Sequence, residues 1–495
     1  MSDDQHNHAP LRLFNSLTRS VEPFAPIEPD HARVYSCGPT VYNYAHLGNL
    51  RAYVFVDTLR RTLLWKGLDV TQIINITDVG HLTSDADAGD DKMEAAARAS
   101  ARSIWEIAAH YTEAFKANVA DLNIMAPSEW TVATDYVPQM IAFAQEIAER
   151  HCYELDSGLY FDSRTVPDYG ALAGGRDDAA HARIDPVAGK RNPSDFAIWR
   201  KSPPGEQRQM EWDSPWGKGA PGWHLECSVM SQARLGQPFD IHTGGIDHRE
   251  IHHPNEIAQN QARCHSDHSG ARYWMHNNFL VDRQGKMSKS KGGFTTLFSL
   301  ADAGVHPLAY RLLCLGAHYR SELEFSAEGV AATLTRLKRL VQGVEGLKGR
   351  AEGISWQSPR LDFLRANLHP KLVPLLEQFD AAISEDLMTP RALPLLEEAI
   401  GMKKVPVDEK LCLIAAFDQA LGLNLLKLTR ADLRLRPKDA GIEPEAVEAE
   451  LDRRQDARAQ KDFALSDEIR DALIARGVEV MDGDPLRWDW RLTLG

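Results

Sequence analysis

The sequence predicts an α/β protein built on a doubly wound parallel sheet, and three stretches carry that prediction. The first is a short β-type run, Ala32 to Tyr35, which leads through a turn containing Gly and Pro into an amphipathic segment, Leu50 to Lys66. Tyr53, Val56, Leu59 and Leu63 recur there at helical spacing, and Gly67 supplies the stop. The second, Val70 to Ile76, reads as a buried parallel strand ending in Asn75-Ile76-Thr77-Asp78. The third alternates again, with a helix from Gly222 to Leu235, a strand from Phe239 to Thr243, a turn at Gly244-Gly245-Ile246-Asp247 and a helix from Pro254 to Arg263.

The turn of the first unit, Cys37 to Asn49, is shaped to hold phosphate. A strand, a turn and a helix start leave free N–H groups and a positive dipole end facing the turn. His46 adds a donor, and Gly48 lets a ligand come close to the backbone. Alone, a strand–turn–helix with one histidine is ordinary scaffold. The polar end of Val70–Ile76 lies where open α/β sheets bind ligands. Next comes an acidic loop, Val79 to Asp91, whose Asp85, Asp87, Asp90 and Asp91 lack the twelfth-position Glu of a calcium loop. It reads as a mobile surface loop.

Further along, Ala95 to Ala120 and Tyr136 to Arg150 read as helices, and Gly158 to Ser163 as a short strand. From Pro167 to Pro221 the chain is dense in Gly, Pro, Asp and Arg, with little periodicity. Beyond Ser290 it becomes helical, at Pro307–Leu315, Glu328–Leu347, Leu361–Phe379, Pro390–Ile400 and Glu409–Leu421. Last come Pro444–Gln460 and Ala464–Arg476, closed by Gly477 and a strand at Val478–Met481. Arg453, Arg454, Arg458, Lys461, Arg470 and Arg476 give this unit basic character, which fits either an RNA contact or a salt-bridged surface.

With 495 residues, 43% hydrophobic and 25% charged, the chain has the composition of a soluble protein of several domains. Its 56 basic and 70 acidic residues give a net charge of −14, so any RNA contact must come from local basic faces. Six cysteines without close spacing do not make a disulfide scaffold. Met1 to Pro10 lacks an apolar signal core, and no apolar run is long enough to span a membrane. The expectation is a cytoplasmic protein with reduced thiols and no membrane partner.

A second motif changes what the first one means. Lys286-Met287-Ser288-Lys289-Ser290 follows a turn-like Asp282–Gly285 and precedes Lys291-Gly292-Gly293. Two lysines three apart on a Gly-flanked loop suit a mobile polyphosphate clamp. Together, His46-Leu47-Gly48-Asn49 and Lys286–Ser290 resemble the two signatures of the class I aminoacyl-tRNA synthetases. Cys37-Gly-Pro-Thr-Val-Tyr, Asn75-Ile-Thr-Asp, Gly222-Trp-His-Leu-Glu-Cys-Ser and His252-His-Pro-Asn-Glu-Ile-Ala-Gln are similar to its cysteine-specific branch, in the right order from Leu11 to the C-terminus. Two stretches depart from the commoner family form: the acidic loop, and His248-Arg249-Glu250-Ile251 before the paired histidines.

The resemblance implies a class I nucleotide-binding fold split by an insertion, then a helical bundle and a small α+β C-terminal domain. Its expected bounds are 1–124 and 220–265 for the two catalytic halves, 125–219 for the insertion, 266–322 for a linker bearing the lysine loop, 323–440 for the bundle and 441–495 for an anticodon-binding domain. It further implies ATP, L-cysteine and tRNA(Cys) as partners of a monomer. Catalytic roles fall on His46, Asn49, Lys286 and Lys289, which with Gly48 and Asp247 also bind ATP; Mg2+ accompanies the ATP, with no protein ligand named for it. Thr77, with Asp78 near it, Trp223 and His242 fall near the substrate cysteine. Arg176, Arg183, Lys190 and Arg191 are either solvated or hold the RNA acceptor end.

Family likeness also assigns one zinc ion per chain to Cys37, Cys227, His252 and Glu256. His252 and Glu256 are four apart and share a helix face, and strand ends converge where Cys37 lies. Two thiolates, an imidazole and a carboxylate suit tetrahedral zinc. Spacing alone would not pick them out, because no Cys-x-x-Cys pair exists. Cys152, Cys264, Cys314 and Cys412 read as packing residues. Two other readings stand beside this one: an adenylate-forming ligase that couples cysteine to a small amine, and a non-catalytic, zinc-containing RNA-binding paralogue.

Overall fold

In a computed structural model the described residues are 9–79, 102–174, 189–203, 205, 208–265, 269–282, 285–286, 296–351 and 361–492. The acidic loop from Gly80 to Asp91, Arg176, Arg183 and Lys289 lie outside them. A hairpin, β1 (Arg12–Asn15) and β2 (Ser20–Pro23), comes first. Then β3 (His31–Ser36) leads to α1 (Leu47–Trp65), and β4 (Asp69–Ile76) to α2 (Ile104–Asp121). Next follow β5 (Glu129–Val132) and α3 (Val137–His151). An antiparallel unit comes next, of β6 (Cys152–Leu155), β7 (Gly158–Phe161), β8 (Phe196–Lys201) and β9 (Gly219–Pro221). The parallel layer resumes with α4 (Trp223–Leu235), β10 (Phe239–Gly245), α5 (His252–Cys264) and β11 (Ala271–Asn277).

The central sheet has the order β11-β10-β3-β4-β5, and every pair in it is parallel. Strand order reverses between β3 and β10, which opens a crevice at their carboxyl ends. Tyr53, Val56, Leu59 and Leu63 of α1 are all buried, as their spacing predicts.

Two of the expected boundaries move. β5 pairs with β4 in the parallel sheet, so residues 125–151 belong to that layer, and the interrupting unit starts with β6. On the far edge β11 pairs with β10, so the second half of the sheet runs past residue 265 to Asn277. Neither β8 nor β11 shows alternation, because β8 is buried at its first four positions and β11 at all but one. Strands covered on both faces lose the period-two pattern that marks half-buried ones.

Beyond the sheet come β12 (Leu280–Asp282), β13 (Gly285–Lys286), α6 (Leu297–Asp302), α7 (Pro307–Leu315) and β14 (Leu323–Glu324). The bundle is α8 (Ala327–Lys348), α9 (Leu361–Asn367), α10 (Val373–Ser384), α11 (Thr389–Gly401) and α12 (Val407–Leu421). The expected single helix Leu361–Phe379 is two, parted around Pro370, which has no N–H to give and disfavours helix at His369. The chain closes with α13 (Pro444–Ala459), α14 (Phe463–Ala475), β15 (Val478–Val480) and β16 (Trp488–Trp490), around a separate core that includes Val447, Leu473 and Trp488.

Among the described residues no helix is long and apolar enough to cross a membrane. All six cysteines are free thiols, and Cys264 is exposed rather than packed.

Candidate active site

The crevice at the strand-order reversal is a cavity of about 470 Å³. Cys37 enters it from the end of β3, Thr77 from β4, Asp247 from the turn after β10, and His46, Gly48 and Asn49 from the start of α1. The cavity exists because glycines let backbones cross there. A Cβ at Gly38 would stand 1.4 Å from the Asn75 carbonyl oxygen, so only Gly fits where the β3 exit passes over β4. At Gly244 a Cβ would come within 2.7 Å of the His248 and His253 rings.

His46 is the N-cap of α1: its Nδ1 accepts from the Asn49 N–H at 3.1 Å, while Asn49 Oδ1 accepts from the His46 N–H at 3.3 Å. This reciprocal box holds both side chains on the helix end that faces the cavity. His46 also bridges Thr296, so the far end of the lysine loop sits beside the helix start. Of Lys286 only the backbone is described, paired with Val281.

Four donors converge as the family likeness requires. The ligand atoms of Cys37, Cys227, His252 and Glu256 all lie within 4.8 Å of one another. Glu256 Oε1 is buried, 3.0 Å from His252 Nε2, and makes no aligned hydrogen bond. An orphaned carboxylate oxygen beside two thiols and an imidazole is what a tetrahedral zinc ion satisfies, so the residues fit the metal. His252 is oriented from behind by His224, Nδ1 to Nδ1 at 2.9 Å.

Electrostatics favour a cation here. Burial pushes the Cys37 thiol up; the hydrogen bond to Cys37, then burial, pushes Cys227 well up. Both thiols are therefore neutral unless a positive ion stands beside them. Burial opposes ionisation of Glu256, yet His242 and His252 hold it down at about 2. Burial is the largest effect on His252 and lowers it, but Glu256 and Cys227 together outweigh it and raise the imidazole to about 10.

The expected substrate residues divide. Thr77 lines the cavity, its hydroxyl donating to Glu226 Oε2 at 3.0 Å, and burial pushes Glu226 up to about 8. Trp223 also lines it, 4.3 Å from the His252 ring. His242 does not: it stands behind Glu256, Nε2 to Oε2 at 2.9 Å, stacked on Trp274, so it positions a donor rather than walling the pocket. Asp78 is buried away from the cavity and accepts from the Thr134 N–H and hydroxyl.

Sequence reasoning passed over a file of imidazoles. His253 Nε2 lies 3.3 Å from Cys37 Sγ, His253 Nδ1 2.8 Å from His276 Nε2, and His276 Nδ1 2.8 Å from Ser16 Oγ. Burial holds both rings neutral, with pKa values well below the ordinary range. The signal was hidden because His252 to Ala262 of α5 are all buried, so no apolar face separates the inward positions from the rest.

Residues 23–335 match the family described as tRNA synthetases class I (C) catalytic domain. Along 98% of both chains, 64% of residues are identical to a cysteine–tRNA ligase of Novosphingobium aromaticivorans. This chain belongs to the cysteine–tRNA ligase family. A second member, from Zymomonas mobilis, is 57% identical, again over 98% of each chain. A solved methionyl-tRNA synthetase of Mycobacterium tuberculosis, bound to methionyl-adenylate, shares the fold at 14% identity, with a TM-score of 0.52 over 84% of this chain and 95% of that one. A family of class I ligases matched from end to end disfavours both the small-amine ligase and the non-catalytic paralogue.

Proposed function

We infer that this enzyme activates L-cysteine with ATP and transfers it to the 3′ end of tRNA(Cys), and that Cys37, Cys227, His252 and Glu256 hold the zinc that reads the substrate thiol. The observation that carries this reading is the meeting of those four donors at the wall of the crevice that holds the His46–Asn49 helix end, a wall that Cys37, Cys227 and His252 line. In the first step a carboxylate oxygen of cysteine bonds to the α-phosphorus of ATP. The bond to pyrophosphate breaks, giving cysteinyl adenylate. Positioning and charge neutralisation carry the rate of such a step. His46, the backbone at Gly48 and Asn49, and Lys286 with Lys289 neutralise the phosphates, Asp247 borders the nucleotide, and Mg2+ arrives with ATP. Thr77 and Trp223 wall the cysteine, with His242 fixing Glu256 from behind.

When bound, zinc supplies a soft cation that prefers a thiolate to a neutral hydroxyl. The chain's part is to present two sulfurs, one imidazole and one carboxylate in a buried, pre-oriented set. In the second step the terminal ribose hydroxyl of the RNA attacks the activated carbonyl and AMP leaves. A cytoplasmic monomer completes the reading, its compartment supported by the free thiols. Cysteine-dependent ATP–pyrophosphate exchange and charging of purified tRNA(Cys) test it; exchange without charging would refute the second step.

A further inference from the structure

The adenylate cavity has two flanks, and the functional reading gives the nucleotide only one. Asp247 and the residues after β11 border it on the β10–β11 side, where that reading seats the nucleotide. The opposite flank is aromatic. Tyr44, from the loop before α1, and Tyr111, from α2 between β4 and β5, line the cavity there.

Tyr44 is held in an unusual way. Its ring meets Tyr111 at 5.0 Å and 90°, Phe298 at 5.5 Å and 71°, and His110 at 5.8 Å and 71°. Its hydroxyl is fixed by His110 Nε2 at 3.1 Å. Every one of these ring contacts is edge-on, none of the three rings lies parallel to it, and the residue is 38% exposed. A ring locked on its edges, with no parallel partner among the described residues, is a pre-oriented stacking surface.

The position says which base it receives. In chain order the antiparallel unit follows β5, the strand at the sheet edge beyond β4, and α3. The RNA's last nucleotide must enter the cavity for its ribose to react. We propose that Tyr44, braced by His110, Tyr111 and Phe298, is the platform on which the 3′-terminal adenine of the tRNA stacks during aminoacyl transfer. The inference rests on the functional reading, because it takes the β10–β11 flank as the place of ATP.

The test is single-turnover transfer from enzyme-bound cysteinyl adenylate to tRNA(Cys), with a normal 3′ end or with one that keeps the terminal ribose but lacks its base. Stacking on an aromatic side chain predicts that loss of the base slows transfer by the unmodified enzyme roughly tenfold or more. Tyr44→Ala should slow transfer to normal RNA by the same factor and show no further loss with the baseless end. Tyr44→Phe, which keeps the ring, should transfer within about twofold of the unmodified enzyme.

Multiplying losses in the Ala variant, or no loss from the baseless end in the unmodified enzyme, would overturn the proposal. The second arm needs no variant, so it stands even if Tyr44→Ala fails to fold. A raised KM for ATP in exchange, with transfer unchanged, would overturn it by assigning the ring to the ATP adenine. Absence of cysteine-dependent exchange in the unmodified enzyme would instead sink the functional reading beneath it.

Discussion

Arg311 and Asp57 form a fully buried ion pair, Nη2 to Oδ2 at 2.5 Å, that ties the bundle side of the protein to the helix bearing the active-site cap. Arg311 also donates to the carbonyls of Leu421 at 2.8 Å and Leu122 at 3.0 Å, the ends of α12 and α2. Asp57 lies on α1 and takes a second guanidinium, Arg61, at 2.7 Å. Asp57→Asn would leave Arg311 charged and uncompensated, at a cost of about 3–5 kcal/mol. Urea unfolding of the purified variant checks this. A loss below about 1 kcal/mol would mean the pair is not a structural joint.

The same pair sets a pH dependence. Burial raises the Asp57 carboxyl, but Arg311 and then Arg61 outweigh it, so its pKa is lowered overall. A folded value below the unfolded one means that the native state binds the proton less readily. Its contribution is therefore present above the unfolded pKa of about 3.9 and is lost as pH falls through the lower folded value. Unfolding free energy measured from pH 5 downward should fall more steeply for the natural protein than for Asp57→Asn. Parallel curves would contradict the assignment.

Lys289→Ala should slow adenylate formation by roughly 10²–10³, the usual cost of losing one preorganised donor to developing charge. The KM for cysteine should change little, because the lysine belongs with phosphate. Steady-state exchange with varied ATP and cysteine measures both, and an unimpaired rate would remove the lysine loop from the chemistry.

The legible parts of this protein are those where chemistry and periodicity coincide. α1 could be read because Tyr53, Val56, Leu59 and Leu63, all buried, recur at helical spacing and Gly67, at φ 81°, ends it. The four candidate metal donors could be named only through family likeness, since Cys37, Cys227 and His252 are brought together by sheet topology and not by spacing. His242 was misplaced by one layer, because a strand residue near a site gives no sign of whether a carboxylate stands in front of it. β8 and β11 escaped because burial on both faces erases alternation.

The basic C-terminal face is less free than its composition implied. Arg454 is bound to Asp482 through both nitrogens at 2.6 and 2.9 Å, Arg458 shares that carboxylate, and Arg453 and Arg470 pair with Glu450 and Asp467. Lys461 and Arg476 have no ion pair among the described residues. Because α13 to β16 form their own core, a chain ending at residue 440 should keep cysteine-dependent exchange and charge tRNA poorly. In the full chain, Lys461→Ala should flatten the log–log salt dependence of RNA binding by about 0.7–0.9. Full charging by the shortened chain would show that residues 441–495 do not hold the anticodon.

Cysteine and serine differ by one atom, and a pocket that judged them by packing could separate them by only about 1–3 kcal/mol, roughly 10–200-fold. The thiols of Cys37 and Cys227, both pushed up by their surroundings, need a cation to ionise, and the soft ion that suits them also prefers a sulfur substrate. Removing the metal by chelation, or Cys227→Ser, should therefore depress cysteine activation severely and leave serine activation near its low background. Exchange rates with each amino acid, taken alongside metal content and a melting curve, decide the matter. Preference for cysteine should shrink to within that packing limit of roughly 10–200-fold. A metal-free enzyme that stays folded and keeps a larger preference would make the ion structural, and would move the discrimination to the walls formed by Thr77 and Trp223.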